Sequence, residues 1–353
     1  MDVVPSRARR ATLATVAASA GVSVATVSKV LNGRSDVAPA TRALVQTLLQ
    51  QHGYVATSPR RTDTPDRPTI EISFDGDLNG YSTEIVQGVL SAAGEAGVAV
   101  VISTQSESAG LAPDRPATWA RDLVAAGRRA VIAVTSEITS GHLAALAKAR
   151  MPIVVIDPMH LPRTRVTSIG STNFSGGLAA THHLIALGHR RIAHLGGPES
   201  AACNQARMHG FRAAMEAARL PVLEGYVRWG EFRYHAGVEG AGRLFDLPVT
   251  PTAVFAGNDE LALGVIEAAR ARGLRVPEQV SVVGFDDIQL ARMASPPLTT
   301  VRQPLREMGT MAVRTALRLA AGETIDSHHV ELATVLVVRM STAAPPPEPA
   351  DGR

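Results

Sequence analysis

The sequence is poor in cysteine, in lysine and in long apolar stretches, and each shortage narrows what the protein can be. Cys203 is the only cysteine, so neither an intramolecular disulfide nor a cysteine-based zinc site can form. No run of about 18 apolar residues occurs, so no segment is expected to cross a membrane. The first ten residues carry three arginines without an apolar stretch after them, which is unlike a signal peptide and predicts a cytoplasmic protein.

Charge is distributed unevenly along the 353 residues, a length that suits two or three packed units. Residues 1–62 hold eight basic and two acidic residues, a net charge of +6, whereas the rest holds 27 basic and 30 acidic residues, a net charge of −3. This asymmetry favours a nucleic-acid-binding region at the N-terminus. A basic tail without a partner would give the same balance.

Four regions differ in pattern. Residues 11–54 form a short, alanine-rich segment with a helical pattern. Residues 55–68 contain three prolines among polar residues, which predicts a linker. Over residues 69–342, apolar strand-like runs alternate with helix-like segments, which predicts an α/β fold with parallel sheets covered by helices on both faces. Residues 343–353 are proline-rich and are predicted to be disordered.

The N-terminal region carries the start and stop signals of three helices. We expect one helix at residues 13–20 capped by Thr12, a second at residues 24–31 capped by Ser23, and a third over residues 39–52. Their expected common core is Leu13, Val16, Ala17, Val22, Val27, Val30, Leu44, Val45 and Leu48.

The second helix leaves small and polar side chains on its outer face, so it could approach base edges closely. Lys29 could donate to guanine O6 or N7, and the methyl groups of Val24 and Ala25 could contact a thymine methyl. Hydroxyl and amide side chains around this helix suit phosphates or base edges. A lysine here, when 33 of the 35 basic residues are arginines, reflects either chance or selection for a guanine contact. The residues predicted to contact DNA are Thr12, Leu13, Ser23, Val24, Ala25, Thr26, Ser28, Lys29, Asn32, Thr41, Tyr54, Arg60 and Arg61.

The stretch LATVAASAGVSVATVSKVLN at residues 13–32 resembles the headpiece of the LacI/GalR family of repressors. The resemblance implies a helix-turn-helix headpiece followed by a two-lobed core like that of periplasmic binding proteins, with two doubly wound parallel sheets. It also implies a transcriptional regulator without a cofactor, a repressor whose affinity for operator DNA is controlled by a small carbohydrate-type effector. Further family landmarks lie at residues 187–192, 197–198, 256–264, 277–287 and 297–303.

In this family the chain crosses between the lobes three times, and the effector binds in the cleft at the strand ends. The resemblance implies an N-lobe at residues 69–168 and 297–325 and a C-lobe at residues 169–296 and 326–342. Carboxylate, amide and guanidinium groups could pair with the vicinal hydroxyls of a sugar, and aromatic rings could stack on its faces. The effector-binding residues carried over to this sequence are Asp75, Tyr81, Asp157, Arg207, Phe232, Asn258, Asp286 and Gln303.

Several of these residues have an alternative structural role. Asn258 could cap the helix that follows it, Arg207 could serve in a salt bridge, and Tyr81 could lie on a dimer surface. Asp286 and Asp287 could both be strand-end or capping groups, and for Asp287 this is the favoured interpretation.

An enzyme is not expected. Adjacent residues at a strand end point to opposite sides, so Asp286 and Asp287 cannot flank one glycosidic bond. No P-loop, GxSxG or HExxH motif occurs, the pair His182-His183 has no third metal ligand, and Cys203 lacks an obvious base partner. The alternative is a sugar-binding protein of a transport system without a DNA role, which the headpiece argues against.

The linker departs from the family pattern. The family places a short hinge helix here, whose leucine wedges into the minor groove and kinks the operator. Pro59 would interrupt such a helix, and Asp63 stands at the wedge position. Arg60 and Arg61 could still follow phosphates or a narrow minor groove.

The family's dimer surfaces correspond to helix candidates at residues 83–96 and 260–272. The C-terminus ends in four prolines with no large apolar residue after Met340, so no tetramer-forming coiled coil is expected. We therefore expect a homodimer on a palindromic double-stranded operator.

Overall fold

The computed structural model describes residues 12–31, 34, 36–52, 54, 67–105, 115–159 and 166–347. The chain divides into two compact units, Met1–Asp66 and Arg67–Arg353. The first unit is helical, and the second contains two sheets of mainly parallel strands, so the predicted fold class is confirmed. The predicted DNA contacts Asn32, Arg60 and Arg61, and nearly all of the predicted linker, lie outside the described residues.

The first unit, the headpiece, contains three helices whose ends follow the sequence signals. The Thr12 hydroxyl accepts a hydrogen bond from the amide of Thr15 at 3.3 Å, and Gly21 ends the first helix in the left-handed region with φ of 63°. Among the described residues no single helix has the length and apolar character to cross a membrane, whereas the first two together, across a bend of 106°, meet those criteria. The helices are α1 (Leu13–Ala20), α2 (Val24–Leu31) and α3 (Pro39–Gln51).

The headpiece core differs from the prediction at one position. Leu44 is 49% exposed, while Val45 is fully buried and Leu48 and Leu49 pack against the core. Residues three and four positions after Val45 share its side of the helix, and Leu44 is turned about 100° away from it. The prediction that Leu44 belongs to the core is therefore wrong.

The second unit has two six-stranded sheets, each at the centre of a lobe. The sheet of the first lobe has the order β11-β5-β4-β3-β1-β2, and that of the second lobe has the order β12-β10-β9-β8-β6-β7. All neighbours are parallel except β10 and β12. The strands are β1 (Thr69–Asp75), β2 (Ala99–Gln105), β3 (Arg128–Val134), β4 (Ile153–Ile156), β5 (Thr167–Ser171), β6 (Ile192–Gly196), β7 (Val227–Trp229), β8 (Ala253–Ala256), β9 (Ser281–Asp286), β10 (Thr299–Arg302), β11 (His329–Leu332) and β12 (Val335–Val337).

Helices cover both faces of each sheet, which explains why the strands are apolar throughout. In β3, Ile132 packs in the core formed with α4 and α12, whereas the adjacent Val131 packs in the core formed with α5 and α6. The second sheet is covered by α7 and α8 on one face and by α9 and α10 on the other. The helices are α4 (Gly80–Glu95), α5 (Pro116–Ala125), α6 (Ser140–Lys148), α7 (Asn173–Ala186), α8 (Ala202–Ala217), α9 (Tyr234–Phe245), α10 (Asp259–Ala271), α11 (Gln289–Met293) and α12 (Leu305–Ala320).

Glycines let α7 and α8 approach backbone to backbone. A Cβ atom on Gly177 would lie 2.2 Å from the carbonyl oxygen of Arg207, and one on Gly210 would lie 2.2 Å from that of Phe174. Only glycine fits at so short a distance. This contact fixes the position of Arg207, a predicted effector residue.

The chain crosses between the lobes later than predicted. β5 belongs to the first sheet, so the first crossing follows Ser171 rather than residue 168. β10 pairs with β9 in the second sheet and β11 pairs with β5 in the first, so the other crossings follow Arg302 and Leu332 instead of residues 296 and 325. Strand pairing sets these points, and the sequence landmarks only lie near them.

The first residues of the predicted disordered tail are packed on the second lobe. The amide of Ala343 donates to Ser281 Oγ at 3.0 Å, and its carbonyl accepts from the same hydroxyl at 3.1 Å. His189 Nε2 lies 2.9 Å from that carbonyl. The prediction of disorder is therefore wrong for Ala343, and residues 348–353 lie outside the described residues.

Candidate effector site and DNA-reading surface

Arg207, from α8, is the centre of a buried polar cluster. Its side chain is 4% exposed. Its Nε atom donates to Asn173 Oδ1 at 2.8 Å, and Nη1 donates to the carbonyl of Gly257 at 2.7 Å. A buried guanidinium needs such partners, and the charge that remains can meet an anionic or hydroxyl-rich ligand.

Asp286 ends β9 beside Arg207, with its Oδ1 atom 3.8 Å from Arg207 Nη1. Gln303 Nε2 donates to the same carboxylate at 2.6 Å, and Ser171 Oγ donates to Gln303 Oε1 at 2.5 Å. Burial raises the pKa of Asp286 to about 7, against the opposing effects of Arg207 and Gln303. Ser171 ends the first crossing strand and Gln303 follows the second, so this chain of hydrogen bonds joins the site to two lobe crossings.

Two aromatic rings border the guanidinium. The Cζ atom of Arg207 lies 3.8 Å from the ring centroid of Phe285 and 5.7 Å from that of Phe232. A Cβ atom on Gly197 would lie 2.4 Å from the Phe232 ring, so the glycine leaves the space that the ring occupies. Phe232 is therefore a half-buried wall next to the cluster.

Tyr81 and Asp157 form a second polar pair in the first lobe. The Tyr81 hydroxyl donates to Asp157 Oδ2 at 2.5 Å. Burial raises the pKa of Asp157 above its ordinary value, opposed by this hydrogen bond and by the charge of Arg207. Burial and the Asp157 charge raise the pKa of Tyr81. The Tyr81 hydroxyl therefore binds a buried carboxylate inside the first lobe. This contact differs from the dimer-surface role considered as the alternative for Tyr81.

The remaining predicted residues lie apart from these hydrogen bonds. Asn258 accepts from the amide of Leu261 at 2.9 Å, which is the capping role considered as its alternative, and its Nδ2 atom donates to the carbonyl of Phe232 at 3.4 Å. Asp75 is exposed at the end of β1, where partial burial raises the pKa of its carboxyl. Of these two, Asn258 is thus the one that adjoins the cluster through Phe232.

Asp287 has the structural role that the sequence favours. Its buried carboxylate pairs with Arg302 at 2.7 Å and with Arg339 at 2.5 Å, which joins three strand ends of the second lobe. Cys203 also lies close to the cluster, and burial raises the pKa of its thiol to about 11. A thiol with that pKa stays protonated at neutral pH and is a poor nucleophile.

Sequence reasoning missed Ser171, Asn173 and Phe285. Ser171 ends β5, and Asn173 begins α7. Because β5 was not predicted as a strand, nothing indicated that polar side chains lie at a sheet edge there. Phe285 lies in β9, and only the three-dimensional structure shows the arginine above its ring.

An open groove of about 730 Å³ adjoins the cluster. Of the eight predicted effector residues, only Asp286 and Gln303 line it. Its other polar lining includes Arg302 and Arg306, which pair with Asp287 and Glu84. The side chains of these two arginines are 50% and 61% exposed, whereas that of Arg207 is 4% exposed, so the buried cluster around Arg207 is the better candidate for recognition of a small molecule.

The headpiece presents the predicted DNA-reading side chains on α2 and at its N-terminus. The amide of Thr26 donates to Ser23 Oγ at 3.1 Å, which caps the helix. Val24 is 47% exposed, and Ala25 and Lys29 are exposed as well. Three other predicted contacts, Leu13, Thr41 and Tyr54, are half-buried.

The comparisons with known proteins cover both units. Residues 12–56 match the family model of bacterial regulatory proteins of the lacI family, and residues 181–342 match that of the periplasmic binding protein-like domain. The transcriptional regulator CelR of Thermobifida fusca is 35% identical over 342 residues, which is 95% of this chain and 99% of that protein.

Two solved structures of transcriptional regulators are similar to this chain over nearly its whole length. A complex of the transcriptional regulator CelR with cellobiose has a TM-score of 0.69 at 34% identity, covering 94% of this chain and 100% of that one. The lac repressor dimer bound to operator and to the anti-inducer ONPF has a TM-score of 0.69 at 28% identity, covering 95% and 100%. These similarities favour a DNA-binding regulator over both an enzyme and a transport protein. The chain belongs to the LacI family of bacterial transcriptional regulators.

Proposed function

We propose that the protein is a homodimeric repressor that binds a palindromic operator, and that a small carbohydrate-type effector bound between its lobes controls this binding. The observation that carries the proposal is the buried cluster of Arg207, Asp286 and Gln303 beside the ring of Phe232. A regulator that acts on DNA works in the cytoplasm, and we propose that it associates with the nucleoid.

The chemistry of the cluster suits a sugar. A guanidinium, carboxylates and amides provide donors and acceptors for vicinal hydroxyls, while Phe232 offers an apolar face for a pyranose ring. The relative CelR, whose structure contains cellobiose, is similar over nearly the whole chain, which supports an effector of this class. We assign effector contacts to Asp75, Tyr81, Asp157, Arg207, Phe232, Asn258, Asp286 and Gln303.

A hydrogen-bonded path supports control of the headpiece by the effector. Asp286 is bonded to Gln303 and Gln303 to Ser171, at the ends of two crossing segments. At the third crossing, the amide of Thr334 donates to Thr172 Oγ1 at 3.0 Å. A ligand that engages Asp286 would therefore favour one arrangement of the crossings, and it changes operator affinity by as much as it prefers that arrangement.

The proposed DNA contacts follow the family's headpiece geometry. Lys29 donates to guanine, Val24 and Ala25 contact thymine, and hydroxyl groups contact phosphates or base edges. These groups are Thr12, Ser23, Thr26, Ser28 and Thr41. Leu13 and Tyr54 contribute through their exposed edges, and Asn32, Arg60 and Arg61 remain proposed contacts outside the described residues.

A homodimer supplies two headpieces for the two half-sites of a palindrome. We propose that α4 and α10 lie in the dimer interface, as the family resemblance implies. Light scattering tests this: the mass should be about twice the 37.0 kDa of the chain, both for the full protein and for a form truncated after Ala343. A tetramer that dissociates on truncation contradicts it.

The effector assignment is tested by thermal shift with a panel of mono- and oligosaccharides that includes cellobiose. At least one sugar should stabilise the wild type, and Arg207→Ala should abolish that shift. Arg207→Lys should retain little of it, because an ammonium cannot reproduce the planar fork. Arg128→Ala is the matched control, since Arg128 is a largely buried arginine paired with Glu71 in the first lobe. An equal loss of the shift in both alanine variants contradicts the assignment.

A further inference from the structure

Asp36 and Lys29 form an ion pair on the surface of the headpiece. Asp36 is the single acidic residue within residues 11–54. Its Oδ2 atom accepts a hydrogen bond from Lys29 Nζ at 2.8 Å. The side chains of Lys29 and Asp36 are 51% and 56% exposed, so the pair lies on the surface, and Lys29 is the residue proposed to read guanine.

Two described neighbours of Asp36, Arg34 and Val37, make contacts with the helices of the headpiece. The amide of Arg34 donates to the carbonyl of Lys29 at 3.0 Å, and the Arg42 guanidinium donates to the carbonyl of Arg34. On the other side, Val37 is buried in the headpiece core directly before α3. These contacts on both sides of Asp36 support its position beside Lys29.

A carboxylate on a DNA-binding surface has a cost. It repels phosphates and so weakens binding to every DNA sequence. The hydrogen bond from Lys29 lowers the pKa of Asp36 below its ordinary value, so the carboxylate is charged at neutral pH. The negative charge of Asp36 also reduces the attraction between Lys29 and DNA phosphates. Such a group raises sequence discrimination if it weakens binding to other sequences more than binding to the operator.

We propose that Asp36 is a specificity-determining positioning residue, which directs the Lys29 ammonium toward one base pair and reduces its attraction to phosphates. This rests on the proposed operator binding. An ammonium has three donors, so one can remain on Asp36 while two meet guanine O6 and N7. Lysine is otherwise a flexible point charge, and the carboxylate gives it the direction that an arginine has through its own shape.

The test uses the full-length protein and a duplex that the wild type itself enriches from a library of randomised palindromes. Dissociation constants are measured for this selected duplex and for a scrambled duplex of the same composition. Asp36→Asn should tighten binding to the scrambled duplex about two- to fivefold, because a repulsive charge is removed. The dissociation constant for the scrambled duplex divided by that for the selected duplex is the discrimination ratio. This ratio should fall about two- to fivefold, because both complexes gain electrostatic attraction but only the selected complex loses the orientation of Lys29.

Three further comparisons separate positioning of Lys29 from effects of folding or of net charge. Asp36→Glu keeps the charge but moves it by one methylene, so it should leave binding to the scrambled duplex unchanged while it lowers the ratio. In a Lys29→Met background, Asp36→Asn should no longer change the ratio. Glu239→Gln makes the same change of net charge at an exposed site on α9 and should leave the ratio unchanged.

The result that overturns the inference is a ratio that Asp36→Asn and Asp36→Glu both leave unchanged, or that Asp36→Asn lowers equally in the Lys29→Met background. A wild-type protein that enriches no duplex contradicts the proposed operator binding instead, so the two failures are distinguishable.

Discussion

Arg207 and Asp286 are both almost completely buried, yet their nearest charged atoms are 3.8 Å apart and do not form a close ion pair. Each is satisfied by other partners, Arg207 by Asn173 and Gly257, and Asp286 by Gln303. The carboxylate is therefore only partly stabilised by the neighbouring cation, and burial raises its pKa to about 7. A ligand hydroxyl that bridges the two groups from the side could accept from Arg207 and donate to Asp286.

The raised pKa of Asp286 predicts a specific pH dependence of stability. The folded protein keeps this carboxyl protonated above the pH at which the unfolded chain releases the proton, so its contribution is complete below about pH 4 and is lost as the pH rises toward about 7. Asp286→Asn removes the titration. The free energy of unfolding of the variant relative to wild type should rise with pH across this window, by up to about 1.4 kcal/mol per unit.

Denaturant titrations at several pH values measure this difference, with the exposed Glu239→Gln as the control. A difference that stays constant or falls with pH would show that folding does not raise the pKa of Asp286.

Tyr81→Phe should destabilise the first lobe more than an ordinary loss of a tyrosine hydroxyl. It leaves the buried Asp157 carboxylate without its donor, which should cost about 1–3 kcal/mol at neutral pH and less in acid, where Asp157 is protonated. Tyr226→Phe is the matched control, because that hydroxyl donates to the neutral carbonyl of Val249 at 2.9 Å. Chemical denaturation of both variants, at neutral and acidic pH, checks the prediction, and equal losses with the same pH dependence would contradict it.

Gly177→Ala should force α7 and α8 apart, because the new Cβ atom would lie 2.2 Å from the carbonyl oxygen of Arg207. We expect a loss of about 1–3 kcal/mol in the free energy of unfolding together with a weaker thermal shift by the effector. Gly94→Ala in α4 is the control, since its Cβ atom would meet nothing within 4 Å and alanine favours the helix. If both variants behave alike, close helix packing does not hold Arg207 in place.

Ser171→Ala should separate effector binding from the DNA response. The Ser171 hydroxyl donates to Gln303 at the lobe crossings and is fully buried. We expect the variant to retain the thermal shift given by the effector, because Asp286 and Arg207 are unchanged, but to show a smaller change of operator affinity. Thr181→Ala is the control, because its buried hydroxyl donates within α7 to Gly177. A full operator response in Ser171→Ala would exclude this path.

The headpiece and the alternation of strands and helices could be predicted because their signals are local. Thr12, Gly21 and Ser23 set the helix ends by their own conformational preferences. The lobe crossings could not be located, because β10 and β11 are short and their sheet is decided by pairing with distant strands. Asn173 and Phe285 were missed for the same reason: their importance comes from Arg207, which tertiary packing brings to them.

The central claim, that a sugar bound at the Arg207 cluster controls operator binding, is tested most directly by one titration. Fluorescence anisotropy gives the dissociation constant of a duplex selected by the protein, with and without each sugar of the panel, for wild type and Arg207→Ala. The account predicts that at least one sugar changes the wild-type constant by about tenfold or more, while Arg207→Ala binds the duplex like effector-free wild type and responds to none. The account is contradicted if no sugar changes the dissociation constant of the wild type, or if a sugar changes that of Arg207→Ala by the same factor as that of the wild type.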